Sequence, residues 1–330
     1  MTTFPAFRVF EEGGAVRGRV VSAALEELSP GDVVITAAYS SVNYKDALAA
    51  TGTGKIVRRF PLIAGIDVSG TVESSADTRF APGDQVLVTG YDLGVAHDGG
   101  YAGRVRVPGE WVVPLPPSLT LFDAMAIGTA GFTAALSVID MEKNGLATAS
   151  GPVIVTGATG GVGSLAVQIL SARGYQVTAL TGKDSEHDYL RSLGAANVLS
   201  RNNLGRGTRP LEKATWAGAV DAVGGDTLSW LTTTMMYNGC IASSGLAGGT
   251  HLQTTVLPFI LRGVKLLGID SVMCPMSTRR QVWERLASDL RPPSLQTMAR
   301  TIGMDALPDA FATLLGGSAR GRFVVKVGES

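Results

Sequence analysis

Cysteine and histidine are scarce in this 330-residue chain, at two and three copies. Cys240 and Cys274 stand far apart in apolar surroundings, which excludes a disulfide framework and fits free, buried thiols in a reducing compartment. His97, His187 and His251 show no metal-ligand spacing, and none is assigned a catalytic role. Neither sign of charge is in excess: 28 Lys and Arg balance 28 Asp and Glu, leaving nothing to neutralise the phosphates of a nucleic acid or an anionic membrane surface. The opening MTTFPAFRVFEEGG lacks the charged n-region and apolar run of an export signal, and the apolar VLPFILRGVKLLGI is interrupted by Pro258, Arg262 and Lys265. The expectation is a cytoplasmic protein with no nucleic-acid partner and no membrane association. The 42 glycines are scattered through turns and strand ends, without periodicity, and no internal repeat is found.

What is present is enough sequence for two cores. Up to about residue 118 the chain reads as short strands between turn signals: Gly31–Tyr39, Asp67–Glu73 and Asp84–Thr89 after Pro82-Gly83. This is an all-β, barrel-like pattern. Pro114, Pro116 and Pro117 crowd a segment that suits a crossing between domains. From about residue 123 helix and strand alternate: a helix over Ala124–Asp140, a buried strand over Pro152–Thr156, a helix over Ser164–Ala172 and a strand over Gln176–Leu180. Strands at Gly218–Val223 and Cys240–Ser244 flank a helix at Asp226–Met236, and Gly321–Val327 forms a last strand that returns to the first domain. Repeated βαβ order predicts a parallel sheet.

Between the second domain's first strand and helix lies Thr156-Gly157-Ala158-Thr159-Gly160-Gly161-Val162-Gly163-Ser164-Leu165-Ala166. Residues 161–166 satisfy G-x-G-x-x-A, and Gly157 and Gly160 add freedom to the turn before it. A side chain at Gly163 would meet the pyrophosphate, whose charge faces the free amides of the helix N-terminus. The next strand ends in Leu180-Thr181-Gly182-Lys183, without the acidic residue that binds a ribose 2′-hydroxyl. Thr181, Gly182 and Lys183 suit a 2′-phosphate, so the expected cofactor is NADPH. Asp184 opposes that reading, although Asp184-Ser185-x-x-Asp188 also starts a helix. Arg201, after the strand-like Asn197-Val198-Leu199, adds positive charge near the adenosine end.

The β-rich first unit, the proline crossing, Thr129-Ala130-Gly131-Phe132-Thr133-Ala134 and GATGGVGSLA together resemble the medium-chain dehydrogenase/reductase superfamily over essentially the full chain. The resemblance implies an α/β fold: a GroES-like β-rich catalytic domain, residues 1–122 completed by 274–330, and a Rossmann doubly wound parallel-sheet domain, residues 123–273. Zinc alcohol dehydrogenases of that superfamily carry Cys where this chain has Asn43, Gly-His-Glu where it has Gly65-Ile66-Asp67, and a third ligand near Gly128 and Thr129. With neither thiol nor imidazole at these positions, no metal is expected and alcohol dehydrogenation is disfavoured. SVNYKDALAATGTGKIVRRFPLIAGID, IGTAGFTAALSV, RPLEKATWAGAVDAVGG, GLAGGTHLQTTVLPFILRGVKLLGIDSVM and GRFVVKV resemble more closely the acryloyl-CoA reductase group of the zinc-independent, quinone-oxidoreductase-like branch. One departure is His97-Asp98-Gly99-Gly100, where the group has His-Trp-Gly-Gly. That resemblance implies NADPH-dependent reduction of an acyl-CoA substrate, acryloyl-CoA to propanoyl-CoA, by a cytoplasmic homodimer. It implies a cofactor contact set of Ala47, Thr129, Gly160, Gly161, Val162, Gly163, Ser164, Leu165, Thr181, Gly182, Lys183, Arg201, Gly245, Leu246, Ser271 and Arg322.

Conjugate reduction places negative charge on the thioester oxygen and requires a proton at the α-carbon. Tyr44 and Lys45 offer an O–H and an ammonium side by side, and Asn43 offers an amide. In this fold class the start of that helix faces the nicotinamide, which makes Tyr44 the first candidate for proton or hydrogen-bond donor and Lys45 the second. Asp46 reads as an orienting group, since a second ionised carboxylate would oppose the enolate. Capping of the helix by Asn43 and Asp46 is the simpler alternative. Tyr91 could reach the same site, and Arg58 with Arg59, or Arg262 with Lys265, could meet CoA phosphates. An NADPH:quinone oxidoreductase would share fold and cofactor, and a cofactor-binding protein without turnover is the reading outside enzymology.

Overall fold

The computed structural model describes residues 3–205 and 209–328, so Met1 and Thr2 of the opening stretch lie outside the described residues. Contacts divide the chain into two compact units: Met1–Thr129 with Val272–Ala287 and Leu295–Ser330, and Ala130–Ser271 with Ser288–Ser294. In the first unit the chain runs β1 (Thr3–Glu12), β2 (Ala15–Ala24), β3 (Val33–Ser41), α1 (Tyr44–Thr51), β4 (Leu62–Ile63), β5 (Asp67–Ser75), β6 (Gln85–Thr89), β7 (Arg104–Val107) and β8 (Val113–Pro114). Helix α2 (Leu121–Lys143) comes next, and the division between units falls inside it. The second unit continues with β9 (Val153–Thr156), α3 (Gly161–Ala172), β10 (Val177–Thr181), α4 (His187–Ser192), β11 (Asn197–Ser200), β12 (Trp216–Asp221), α5 (Gly225–Thr234), β13 (Met235–Ser243), α6 (Leu257–Arg262) and β14 (Lys265–Gly268). The chain ends with α7 (Met276–Leu286), α8 (Leu295–Met298), β15 (Ala299–Ile302), α9 (Leu307–Leu315) and β16 (Arg322–Lys326).

The first unit is built on a seven-stranded sheet, β15-β16-β3-β5-β6-β8 with β7 also on β3, and a three-stranded one, β2-β1-β4. Strand β16 does return to the first unit: it pairs antiparallel with β3, Val324 opposite Ser41, and so brings Arg322 to the end of β3. Inward-facing Val33, Ile35, Val68, Val86 and Val88 join Phe7, Tyr101 and Phe311 in one core. Phe7 meets both other rings edge-on, at 6.3 and 5.9 Å between centroids. The proline cluster does not mark the crossing. Pro114 pairs with Val86 inside the first unit, and the units part at residues 129/130, in a helix whose register is broken at Gly128 (φ 50°, ψ −161°). This helix is long and apolar enough to span a membrane by composition, yet 89% of its most apolar window is buried in the protein. It is a core helix, and the stretch singled out from the sequence, around Pro258, is the short α6.

The second unit carries a six-stranded sheet in the order β11-β10-β9-β12-β13-β14, every pair parallel. Numbered within the unit this is 3-2-1-4-5-6, the doubly wound order whose direction reverses between β9 and β12. Strands covered on both faces read as continuous apolar runs, and β9, β10 and β12 are buried throughout. Helix α3 lies against β9, and the reason for Gly163 is found here. A Cβ at that position would stand 2.3 Å from the Gly157 carbonyl oxygen and 2.7 Å from Ala158 Cα, so the helix could not approach its own strand turn. Backbone packing, ahead of any pyrophosphate, requires this glycine. Gly163→Ala is expected to destabilise the second unit by about 1–3 kcal/mol, because neither backbone atom can rotate away. A urea-unfolding midpoint equal to that of the unsubstituted protein would contradict the assignment.

Candidate active site

Four chain segments meet at the end of β3: Ser41 closes that strand, Asn43 caps α1, Asp67 opens β5, and Arg322 opens β16. The Asp67 carboxylate is fully buried. Its Oδ2 accepts from Ser41 Oγ at 2.6 Å, Asn43 Nδ2 at 2.8 Å and the Thr129 amide at 2.9 Å, and its Oδ1 accepts from Thr129 Oγ1 at 2.5 Å. Arg322, 3% exposed, donates from Nη2 to Ser41 Oγ at 2.8 Å, from Nη1 to the Val42 carbonyl and Asn43 Oδ1 at 3.1 and 3.2 Å, and from Nε to the Ala126 carbonyl at 3.2 Å. Gly128 explains how Thr129 reaches the carboxylate: a Cβ there would be 2.7 Å from Arg322 Nη2, Asp67 Oδ2 and Ser41 Oγ alike. Its positive φ breaks α2 and turns the next amide onto Asp67.

The donor set does not fit zinc. The Asp67 carboxylate lone pairs are engaged by four N–H and O–H donors, and a guanidinium lies beside them. A dication there would face that positive charge with neither thiolate nor imidazole to hold it. Cys240 and Cys274 are buried elsewhere.

The Asn43 side chain meets Asp67 and Arg322, and Asn43 and Asp46 together form the capping box of α1. Asp46 Oδ2 accepts the Asn43 amide at 2.8 Å and Oδ1 accepts the Ile66 amide at 3.0 Å. Burial, then the charge of Asp67, pushes the Asp46 carboxyl up to about 7 against the pull of those hydrogen bonds. Tyr101, whose hydroxyl donates to the Ser41 carbonyl at 3.1 Å, is held well above its ordinary range by burial and then by Asp46 and Asp67. Burial lowers the Arg322 guanidinium, opposed by the same two carboxylates. Tyr44 starts α1 with 41% of its surface exposed, Lys45 beside it is half-buried, and Ala47 is buried.

In the second unit the turn Gly157–Gly160 leads into α3, with the Gly160 amide on the Gly157 carbonyl at 2.9 Å and the Ala158 amide on Leu180 at 3.2 Å. The first amides of α3, at Gly161, Val162 and Gly163, have no carbonyl one turn back in the helix, as an anion site requires; Ser164 and Leu165 come after them, both buried. At the end of β10 the Lys183 amide bonds Thr181 Oγ1 at 3.0 Å, and Arg201 lies over Gly182, its Nη2 2.9 Å from where a Cβ would be. Desolvation lowers the Lys183 ammonium, opposed by Glu186. Asp184 is exposed in a short turn. This cradle of glycine, helix N-terminus and two cations fits a phosphorylated dinucleotide.

Sequence reading passed over two residues beneath this cradle. Thr156 Oγ1 donates to buried Asp221 at 2.6 Å and accepts the Ala222 amide at 3.1 Å, while Asp221 also takes the Val223 and Gly224 amides at 3.3 and 2.9 Å. The pair ties the two loops at the point where strand order reverses. Gly245, whose Cβ would be 2.1 Å from the Ala222 carbonyl oxygen, packs on the second of these loops; Leu246 is exposed and Ser271 half-buried at the last residue of the main segment. A carboxylate ending a buried strand was the available signal. Asp67 offered the same signal at the start of β5. In the first unit Tyr91 (φ 53°) stacks on Trp111 at 5.4 Å and under Arg279 at 4.5 Å, while Arg59 pairs with Asp98, the residue that departs from the group pattern.

Sheet order, dinucleotide turn and β-rich partner unit define a dehydrogenase/reductase of the medium-chain type. Residues 29–117 match the family model of the alcohol dehydrogenase GroES-like domain, and residues 161–288 that of the zinc-binding dehydrogenases. The chain is 48% identical over 318 residues to acrylyl-CoA reductase AcuI of Ruegeria pomeroyi, covering 96% of each. It is 50% identical over 328 residues to YhfP of Bacillus subtilis, which bears the name of a quinone oxidoreductase, covering 99% of each. The yhdH oxidoreductase of Salmonella enterica, solved in complex with NADP, superimposes with a TM-score of 0.96 at 47% identity over 98% of this chain and 99% of its own. YhfP, solved with NAD bound, gives a TM-score of 0.96 at 50% identity over 99% of this chain and 100% of its own. The chain belongs to the AcuI/YhdH family of acryloyl-CoA reductases, and it is an oxidoreductase.

Arg322→Met removes the cation from beside Asp67 and leaves the Val42 and Ala126 carbonyls without their partner. The expected loss of stability is ~3–5 kcal/mol, read as a lower urea midpoint. A loss within ~0.5 kcal/mol would show that the network does not hold the unit together.

Proposed function

We propose that the protein reduces the carbon–carbon double bond of a short α,β-unsaturated acyl-CoA, acryloyl-CoA to propanoyl-CoA, with NADPH as the reductant. The observation that carries the chemistry is at the start of α1. With Asn43 committed to Asp67 and Arg322, the accessible donors are Tyr44 and Lys45, held in place by the Asp46 cap. The near-full-length likeness to AcuI supports the substrate. Lys183 and Arg201, with no carboxylate at Gly182, favour the 2′-phosphate form of the cofactor.

NADPH, when bound by the α3 N-terminus and these two cations, would supply the hydride for the substrate β-carbon. The Tyr44 hydroxyl and the Lys45 ammonium stabilise negative charge on the thioester oxygen, and Tyr44 delivers the proton to the α-carbon. Asp46 stays behind the cap, touching backbone amides, so its charge is directed away from the enolate.

Quinone reduction is the second reading, favoured by the name of YhfP. A homodimer in the cytoplasm belongs to the proposal. Its support is the edge strand β14, which exposes Leu266, with Val256, Ile260 and Leu261 exposed at α6, and the burial of both cysteines. The test is NADPH oxidation, followed optically, with acryloyl-CoA, crotonoyl-CoA and a simple quinone as separate acceptors, on protein whose mass in solution is read by light scattering. Acryloyl-CoA should turn over fastest, and Tyr44→Phe should lower kcat about 100-fold with NADPH affinity unchanged. Turnover of quinone alone would replace this reading by the second one.

A further inference from the structure

Asp46 occupies an unusual position for a carboxylate that touches neither solvent nor, on the reading above, substrate. It is 1% exposed, and its two oxygens hold two separate pieces of backbone: the Asn43 amide at the mouth of α1 and the Ile66 amide just before Asp67. Both segments carry site residues, Asn43 to Lys45 on one side and Asp67 on the other. A carboxylate accepts both bonds with charge assistance; the neutral acid has a proton on one oxygen and loses that assistance at both.

We propose that Asp46 is an ionisable latch, a positioning residue that as carboxylate fixes the Asn43–Lys45 corner and on protonation releases it, so that turnover falls on the acid side through a group outside the reacting atoms. The inference rests on the reductase reading for its kinetic arm only. The charged and titratable groups facing Asp46 are Asp67 from β5, Tyr101 from the segment before β7 and Arg322 from β16. Helix α9 and strand β2, which also pack on α1, carry Asp309, Arg17 and Arg19, all exposed. Burial and Asp67 place the transition near neutrality, at about 7. The sign is distinctive. Because the folded protein holds this proton more tightly than the unfolded chain, Asp46 adds to stability as pH falls from 7 toward the ordinary carboxylate range, while activity falls over the same interval. A group that acted only by holding the fold together would lose both at once.

The experiment compares the full chain with Asp46→Asn, which keeps the shape and cannot ionise. In the unsubstituted protein kcat should drop roughly tenfold from pH 8 to pH 6, as a single ionisation near 7 requires, while the unfolding midpoint of the unsubstituted protein rises relative to the variant. In Asp46→Asn kcat should change less than about twofold over that range. A variant that keeps the tenfold acid limb overturns the proposal. Amide hydrogen exchange of the unsubstituted protein provides the arm that needs neither a folded variant nor turnover. Protection of the Asn43 and Ile66 amides should fall between pH 8 and pH 6 while that of β12 holds, and pH-independent protection at both amides overturns the latch. If no enoyl-CoA is reduced but those two amides still lose protection, the reductase reading fails and the latch stands.

Discussion

A buried carboxylate can be tolerated only if nearly every lone pair is used, and Asp67 shows what that demand does to a fold. Four donors from three segments converge on it, and the compensating guanidinium comes from the last strand of the chain. Gly128 has to lack a side chain and break its helix for Thr129 to arrive. The register of β16 on β3 has to be the observed one for Arg322 to arrive. Taking any one partner away would leave a desolvated charge or carbonyl behind, which is the costly state in a low-dielectric interior. The Asp67 oxygens are thereby engaged by the protein's own hydrogen bonds, and the polar side chains left accessible at this corner are Tyr44 and Lys45.

A related device organises the other unit. Asp221, also buried, uses Thr156 and two backbone amides to tie the β9 and β12 loops where the sheet reverses direction, and burial raises its carboxyl against those bonds. In both units a buried acid at a strand terminus fixes the chain around it. Asp46 holds backbone in the same way at the mouth of α1, where burial and then the like charge of Asp67 push its carboxyl up to about 7.

Local signals carried the parallel sheet and its dinucleotide turn. Apolar runs such as Val153–Thr156 and the glycines from 157 to 163 lie within a few residues of one another, so the sequence displays them together. The reason for Gly163 was hidden, because the carbonyl it must clear is visible only once the helix is laid on the strand. In the first unit Asn43 was recognisable as a departure from a metal ligand, but its partners were not: Asp67 is 24 residues away and Arg322 is 279. Nothing in local patterning joins a carboxylate at the start of β5 to an arginine at the start of β16; the strand register does. Prolines 114–117 misled for a related reason. Pro114 lies in an edge strand of the first sheet and Pro116 and Pro117 just past it, while the division between units runs through an apolar helix whose composition hides the break at Gly128.

The most direct test of the central claim, that Asp67 and Arg322, bridged through Ser41 and Asn43, form a metal-free centre, is the zinc content of protein produced with zinc in the medium, measured by elemental mass spectrometry alongside its unfolding temperature before and after chelation. The account predicts far less than one zinc per chain and an unfolding temperature that chelation leaves where it was. One zinc per chain, lost together with stability on chelation and absent from an Asp67→Asn variant, would contradict it.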